Sequence, residues 1–276
     1  MAAELAPTVA ELLPSPGERV AVVGCGTSYN MALAYARLRE GAGQGVTDAM
    51  AASEVLRRDY DRYLLISRSG TTTEVVQVAS SLPPGARATA LTVDEGTPLA
   101  VLVPTVRLGF AAERSVVQTR FATSLLVLLR AHLGESAVGM VADARAALEA
   151  PLPEAALAAS RLTFVGQGWT VGLAHEAALK LRESAQMWTE SYPAHELRHG
   201  PISVLDPTSV VWCFGEPPPG LEADVEATGA AFVRSRLDPL ADLVRAHRVA
   251  LSLASAKGLD IDKPRNLSFS VVLPEA

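Results

Sequence analysis

The sequence has few cysteines and no excess of positive charge, and each shortage excludes a class of protein. Only Cys25 and Cys213 occur in 276 residues, which leaves no disulfide framework and no paired metal-ligand spacing. The formal net charge is −6, which argues against broad electrostatic binding to nucleic acid or an anionic membrane. We therefore expect a small-molecule partner and no metal, nucleic acid or membrane.

Membrane and export signals are also missing from the sequence. The N-terminus, MAAELAPTVAELLPSP, has no basic stretch followed by an apolar one, and no apolar run reaches membrane-spanning length. Hydrophobic residues make up 49% of the chain, which is enough for a buried core. We expect a globular protein of the reducing cytoplasm.

Short apolar runs alternate with helical stretches through the first half of the chain. This alternation is typical of βαβ units around a parallel sheet. The predicted strands are Arg19–Val23, Tyr63–Ser67, Ala88–Val93 and Val101–Leu108, and the predicted helices are Tyr29–Glu40, Thr73–Leu82 and Val117–Leu133.

The second half of the chain repeats the pattern of the first. An Ala-rich helical stretch is interrupted by Pro151 and Pro153, and a new strand follows at Leu162–Val165. VGCG at Val23–Gly26 and VGQG at Val165–Gly168 each close a strand, and the helices after them carry RLRE and KLRE. We therefore predict a duplication with the boundary near Pro151, giving domains 1–150 and 151–276.

A glycine-rich turn, Gly24–Ser28, follows the first predicted strand. Glycines let the backbone approach a ligand, and the following helix N-terminus offers free N–H groups to an anion. Tyr29 stands where a dinucleotide fingerprint has its third glycine, so a nucleotide site is not indicated. A tight turn with Ser28 as helix N-cap is an equally good interpretation of this motif alone.

A loop of small hydroxyl residues, SRSGTTT at Ser67–Thr73, follows the strand YLLI and precedes a helix. Open α/β sheets bind ligands at the carboxyl ends of parallel strands. The loop lacks the Gly-Lys-Ser/Thr ending of a P-loop, which favours a phosphomonoester over a nucleotide. The alternative is a turn in which Thr72 or Thr73 only caps the helix.

Three ionisable residues, Glu176, Lys180 and Glu183, fall on one face of a predicted helix at i, i+4 and i+7. On a solvated face they would form an ordinary salt bridge worth a few tenths of a kcal/mol, about the value of an i, i+4 pair. Downstream, ELRHGP places His199 before a Gly-Pro turn. Carboxylate, ammonium and imidazole groups together can move protons, although a lone histidine is more often structural.

These motifs resemble, in this order, those of the sugar isomerase (SIS) domain family. The resemblance covers most of the chain and rests on GCGTS, SRSGTTTE, ERSVVQTRFAT at Glu113–Thr123, EAALKLRE, ELRHGP and KGLDIDKPRN. It implies two tandem SIS domains, each a flavodoxin-like, doubly wound αβα sandwich with a parallel sheet. Tandem pairs of this kind form the isomerase half of glucosamine-6-phosphate synthase and the stand-alone phosphosugar isomerases and deaminases.

The resemblance also implies roles for individual residues. Glu183 would move the proton between C1 and C2 with Lys180 beside it, His199 would open the sugar ring, and Lys257 would reach the open-chain carbonyl. In this family the histidine comes from the neighbouring subunit, which implies a homodimer with a shared active site. The phosphate would be held by Ser28, Ser67, Arg68, Ser69 and Thr72, and the sugar by Gly26, Thr27 and Gln118.

The expected function is that of a phosphosugar isomerase or an aminosugar-6-phosphate deaminase without a cofactor. The alternatives are a deglycase of amine–sugar phosphate adducts and a sensor that binds sugar phosphate without turnover. The chain begins Met-Ala-Ala and lacks an N-terminal cysteine nucleophile, so we expect no glutamine amidotransferase activity. Thr71, Gln118 and Arg120 depart from the synthase pattern, which leaves the identity of the sugar open.

Overall fold

The computed structural model describes residues 1–274 and divides into two compact units. The first comprises Met1–Glu135 with the segment from Asn266 onward, and the second comprises Ser136–Arg265. The division therefore falls earlier than the expected position near Pro151. The described residues 266–274 also belong to the first unit.

The first unit is built on a parallel sheet of five strands in the order β2-β1-β3-β4-β5. This is the flavodoxin-like order, in which the direction of winding switches between β1 and β3. The strands are β1 (Val20–Gly24), β2 (Thr47–Ala51), β3 (Arg62–Ile66), β4 (Arg87–Thr92) and β5 (Thr105–Arg107). The α-helices are α1 (Ala2–Leu5), α2 (Thr27–Gly41), α3 (Thr73–Ser80), α4 (Pro98–Leu102) and α5 (Arg120–His132), with short 3-10 helices at Ala6–Leu12, Ala52–Glu54 and Gly109–Ala111.

The second unit has a parallel sheet of four strands in the order β7-β6-β8-β9. Its long helices α8 and α10 pack against each other, and α6 packs on α10. The strands are β6 (Arg161–Gly166), β7 (Thr189–Pro193), β8 (Ser209–Phe214) and β9 (Ala231–Arg234). The α-helices are α6 (Ala137–Glu149), α7 (Glu154–Ala158), α8 (Thr170–Ala185), α9 (Leu221–Glu226) and α10 (Pro239–Ala256), with 3-10 helices at Ala194–His199 and Pro201–Val204.

The central strands predicted from the sequence are confirmed, but the predicted strand Val101–Leu108 is partly wrong. Its first two residues end helix α4, and strand β5 begins only at Thr105. The helix forms because the Thr97 side chain accepts a hydrogen bond from the Ala100 N–H and Pro98 occupies the first turn. N-capping and an early proline therefore outweigh the β-branched residues that suggested a strand.

The two glycine-rich turns share one geometry. A Cβ atom on Gly24 would lie 2.7 Å from the Ser28 carbonyl carbon. A Cβ atom on Gly166 would lie 2.5 Å from the Thr170 carbonyl oxygen. In both units, therefore, only glycine lets the strand end pass so close to the first turn of the next helix. Gly26 and Gly168 then adopt φ values of +53° and +55°.

Helix α5 begins at Arg120, later than the predicted Val117, because Glu113 caps it from outside. The two carboxylate oxygens accept hydrogen bonds from the backbone N–H groups of Thr119, Arg120 and Phe121 at 2.8–3.3 Å. One of these oxygens also accepts the Thr119 hydroxyl at 2.8 Å. A negative charge at a helix N-terminus satisfies free donors and interacts favourably with the helix dipole.

Replacing Glu113 by Ala is expected to lower the free energy of unfolding by about 1–3 kcal/mol, because three N–H groups lose their acceptor. Urea unfolding followed by far-UV circular dichroism measures this effect. The matched control is Glu95→Ala, since Glu95 is exposed. Equal stability of the two variants would show that the Glu113 contacts contribute nothing to the fold.

Candidate functional site

The hydroxyl loop, residues 67–73, follows β3 in the first unit. The Ser67 Oγ accepts the Gly70 N–H at 3.1 Å and lies 3.3 Å from the Thr72 Oγ1. Gly70 has a φ of +64°, and a Cβ there would lie 2.3 Å from the Thr97 Oγ1. The loop is thus a tight turn that groups its hydroxyls on one side.

Thr72 precedes α3 as its N-cap residue, yet its side chain forms no capping hydrogen bond with the helix in the described part of the chain. The interpretation of the loop as a simple helix cap therefore loses its main support at this position. The Thr72 hydroxyl instead faces the other loop hydroxyls, where it could donate to a bound oxyanion.

Arg68 is almost fully buried, at 1% exposure. Its guanidinium donates to the backbone carbonyls of Ser115, Val116 and Phe269 at 2.8–3.1 Å. The side chain therefore braces three backbone segments of the first unit. Phosphate binding by Arg68, predicted from the family resemblance, stays a prediction, and the observed contacts give this residue a structural role.

The glycine-rich turn lies beside the hydroxyl loop because β1 and β3 are neighbouring parallel strands. Ser28 is 3% exposed and Thr27 is 4% exposed, while Gly26 is on the surface. Both turns therefore emerge at the switch point of the sheet, where ligands of this class of fold bind.

Gln118, predicted to contact the sugar, precedes α5. Its Oε1 is buried without a hydrogen-bond partner among the described residues. A buried acceptor without a partner carries a desolvation cost, which a ligand donor could remove. The sugar contacts of Gly26, Thr27 and Gln118 stay predictions.

Three charged side chains of α8 form one contiguous group in the second unit, as their spacing predicts. The Lys180 ammonium lies 3.4 Å from Glu176 Oε1 and 2.5 Å from Glu183 Oε2. Glu176 is fully buried and the Lys180 side chain is 2% exposed, whereas the Glu183 side chain is 19% exposed. The group is therefore no solvated salt bridge, and only its Glu183 end is open to solvent.

A further histidine, His247, lies on α10, which packs against α8. Its Nε2 is buried and has no partner among the described residues. Burial, followed by the positive charge of Lys180, lowers the pKa of His247 to about 3. A neutral imidazole therefore lies near the Lys180 ammonium at pH 7.

His199 and Lys257 also belong to the second unit. His199 is exposed at the end of a 3-10 helix, before Gly200 with its φ of +136°. The Lys257 ammonium donates to the Ala185 carbonyl at 2.8 Å, at the C-terminus of α8, a favourable position for a cation. The proposed chemical roles of both residues stay predictions.

Trp188 lies beyond the end of α8 and outside its apolar face. Leu173, Ala177 and Leu181 are buried, but α8 ends at Ala185 and Trp188 is 85% exposed. Gln186 has a left-handed φ of +50°, which turns the chain out of the helix.

The first unit has a surface cavity of about 1010 Å³ that is separate from the residues predicted to bind the sugar phosphate. It is lined by the segment around Ala52 and by α3, and none of the predicted site residues borders it. Among residues 1–274, no group of three or more His, Cys, Asp or Glu side chains could hold a metal ion. Over the same range, no helix is both long and apolar enough to cross a membrane.

The most informative sequence relatives are bacterial and archaeal glutamine–fructose-6-phosphate aminotransferases. The enzyme of Pyrobaculum aerophilum is 28% identical across 98% of this chain, and that of Gloeobacter violaceus is 26% identical across 93%. The chain spans about half the length of these curated relatives, 55% and 52% respectively. No protein-family model matches the chain.

Two solved structures with this fold are phosphosugar enzymes by name. The glucosamine-6-phosphate deaminase of Thermotoga maritima superposes with a TM-score of 0.80 at 23% identity, covering 99% of this chain and 96% of that one. The tagatose-6-phosphate ketose/aldose isomerase of Escherichia coli gives a TM-score of 0.80 at 18% identity, covering 98% and 90%. The chain is therefore similar in sequence to these aminotransferases, and it shares the fold of these two phosphosugar enzymes.

Proposed function

We propose that this protein transfers a proton between C1 and C2 of an open-chain hexose or hexosamine 6-phosphate, as an isomerase or a deaminase. The observation that carries the proposal is the buried Lys180 ammonium, which holds the accessible Glu183 carboxylate. Aldose–ketose conversion needs one base that removes a proton next to a carbonyl and returns it to the neighbouring carbon. Glu183 is the candidate for this base.

The other residues have supporting roles in the proposal. The ammonium of Lys180 stabilises the negative charge that develops on the enediol oxygen. Ser28, Ser67, Ser69 and Thr72 hold the phosphate, which supplies binding energy remote from the reacting carbons. His199 opens the sugar ring in a homodimer with a shared active site, and Lys257 contacts the open-chain carbonyl. The relatives named above act on hexose or hexosamine 6-phosphates, which supports this substrate class.

A panel of hexose and hexosamine 6-phosphates tests the function. Ketose formation without ammonia identifies an isomerase, and ammonia release from a hexosamine 6-phosphate identifies a deaminase. Amine–sugar phosphate adducts are included because a deglycase would cleave them. Glutamine is added as a control and is expected to leave the rates unchanged. Saturable binding of the whole panel without any turnover would exclude an enzyme and leave the sensor hypothesis.

The phosphate site has a separate test in the double variant Ser69→Ala/Thr72→Ala. We expect its Kd for inorganic phosphate to rise by about tenfold or more, since two hydroxyl donors to an anion are lost. Isothermal titration calorimetry measures the change. Ser80→Ala, at the far end of α3, is the control and should bind as the original chain does. Unchanged affinity in the double variant would remove these hydroxyls from the proposed site.

A further inference from the structure

The segment 266–274 lies across the hydroxyl loop within the first unit. The Ser270 Oγ accepts hydrogen bonds from the Ser69 Oγ at 3.0 Å and from the Thr71 Oγ1 at 2.9 Å. It also lies 3.5 Å from the Thr72 Oγ1. A single oxygen atom of the protein itself thus occupies the point on which the loop hydroxyls converge.

The same segment also uses a donor at the start of α3. The backbone N–H of Thr73, the first residue of the helix, donates to the Val271 carbonyl at 3.1 Å. The Leu273 N–H in turn donates to the Thr73 Oγ1 at 2.8 Å. Free N–H groups of a first helical turn are the donors that commonly bind anions. One of them already has an acceptor here.

Arg68 holds the segment in this position. Its guanidinium donates to the Phe269 carbonyl at 3.0 Å, and its Cζ lies 3.9 Å from the centre of the Phe269 ring. A buried arginine stacked on an aromatic ring gains a cation–π interaction as well as the hydrogen bond. The residue immediately before Ser270 is thereby fixed next to the loop.

We propose that the segment 266–274 is a built-in competitor for the anion site of the hydroxyl loop. The Ser270 hydroxyl accepts from Ser69, one of the proposed phosphate ligands, and the Val271 carbonyl accepts from a helix N–H group beside them. The phosphate of a substrate therefore displaces both as it binds. This inference rests on the proposed function of the loop as a phosphate site. Only molecules with the segment undocked can bind a phosphomonoester at this site. The apparent Kd is therefore the intrinsic Kd divided by the undocked fraction.

The test compares inorganic phosphate binding by the full chain with binding by three single variants. Ser270→Ala removes the competing oxygen, and Phe269→Ala weakens the stacking on Arg68. Both are expected to bind phosphate roughly three- to tenfold more tightly, the gain that corresponds to losing about one net hydrogen bond in the docked state. Val272→Ala is the control from the same segment, because this side chain is 66% exposed.

A second measurement follows the segment directly by amide hydrogen exchange. Saturating phosphate is expected to accelerate exchange at Leu273, whose N–H is hydrogen-bonded to the loop in the docked state. Unchanged exchange together with unchanged affinity in Ser270→Ala would overturn the competition.

The direction of the affinity change separates the two ways in which the inference can fail. Weaker phosphate binding by Ser270→Ala would overturn it by making Ser270 an additional phosphate ligand, and it would leave the proposed function intact. Phosphate binding to none of the proteins would overturn both the competition and the phosphate site on which it rests.

Discussion

Replacing Glu183 by Gln is expected to lower kcat by roughly 10²- to 10⁴-fold, the contribution typical of a general acid–base residue. Glutamine has nearly the shape of glutamate but cannot accept a proton from carbon. Binding of inorganic phosphate should be unchanged, because the proposed phosphate ligands do not include this residue. The measurement is steady-state turnover of the best substrate of the 6-phosphate panel, with phosphate affinity determined on the same preparations.

Glu226→Gln is the matched control for this variant. It makes the same chemical change at an exposed carboxylate of the second unit, on α9, and should leave kcat within the error of the assay. Turnover by Glu183→Gln within tenfold of the original chain would exclude Glu183 as the base. The isomerase or deaminase reaction itself, if observed, would then require another proton acceptor.

Replacing Lys180 by Met is expected to lower the free energy of unfolding by about 3–5 kcal/mol, as for other buried ion pairs that lose one partner. The physical reason is Glu176, which is fully buried 3.4 Å from the ammonium. Without Lys180, this carboxylate loses its compensating charge or takes up a proton. Urea unfolding followed by tryptophan fluorescence reports on the correct unit, because Trp169, Trp188 and Trp212 all lie within it.

Two further variants define the origin of this loss of stability. The double variant Glu176→Gln/Lys180→Met should recover much of it, since no buried carboxylate remains without its partner. Arg234→Met removes one partner of an exposed ion pair with Glu222 in the same unit, whose side chains are 51% and 39% exposed, and should cost less than about 1 kcal/mol. A Lys180→Met variant no less stable than Arg234→Met would show that the buried pair does not support the fold.

The central strands β1, β3, β4 and β6 could be predicted from the sequence, but the edge strands β2, β7 and β9 could not. All three are edge strands, and β2 and β7 mix buried with half-buried positions. Central strands such as β1 are buried on both faces and therefore form continuous apolar runs. An edge strand is defined mostly by the neighbour to which it pairs, and that neighbour is distant in sequence.

The ionisable group on α8 could likewise be predicted only in part from the sequence. Its three members could be recognised by helical spacing alone, because positions four and seven residues apart share a face. His247 lies on α10, and it comes near Lys180 only because α10 packs against α8. No spacing rule connects it to Lys180.

The sequence by itself determined the parallel α/β architecture, the two glycine-rich turns, the hydroxyl loop and the order of Glu176, Lys180 and Glu183. Each of these depends on local patterns, namely apolar runs, glycine at strand ends and helical periodicity. Only the tertiary structure decided that Glu176 and Lys180 are buried, that Arg68 donates to backbone carbonyls, and that Ser270 accepts hydrogen bonds from the hydroxyl loop. These features depend on contacts between residues far apart in the chain, and burial and pairing are set by packing that a linear pattern does not encode.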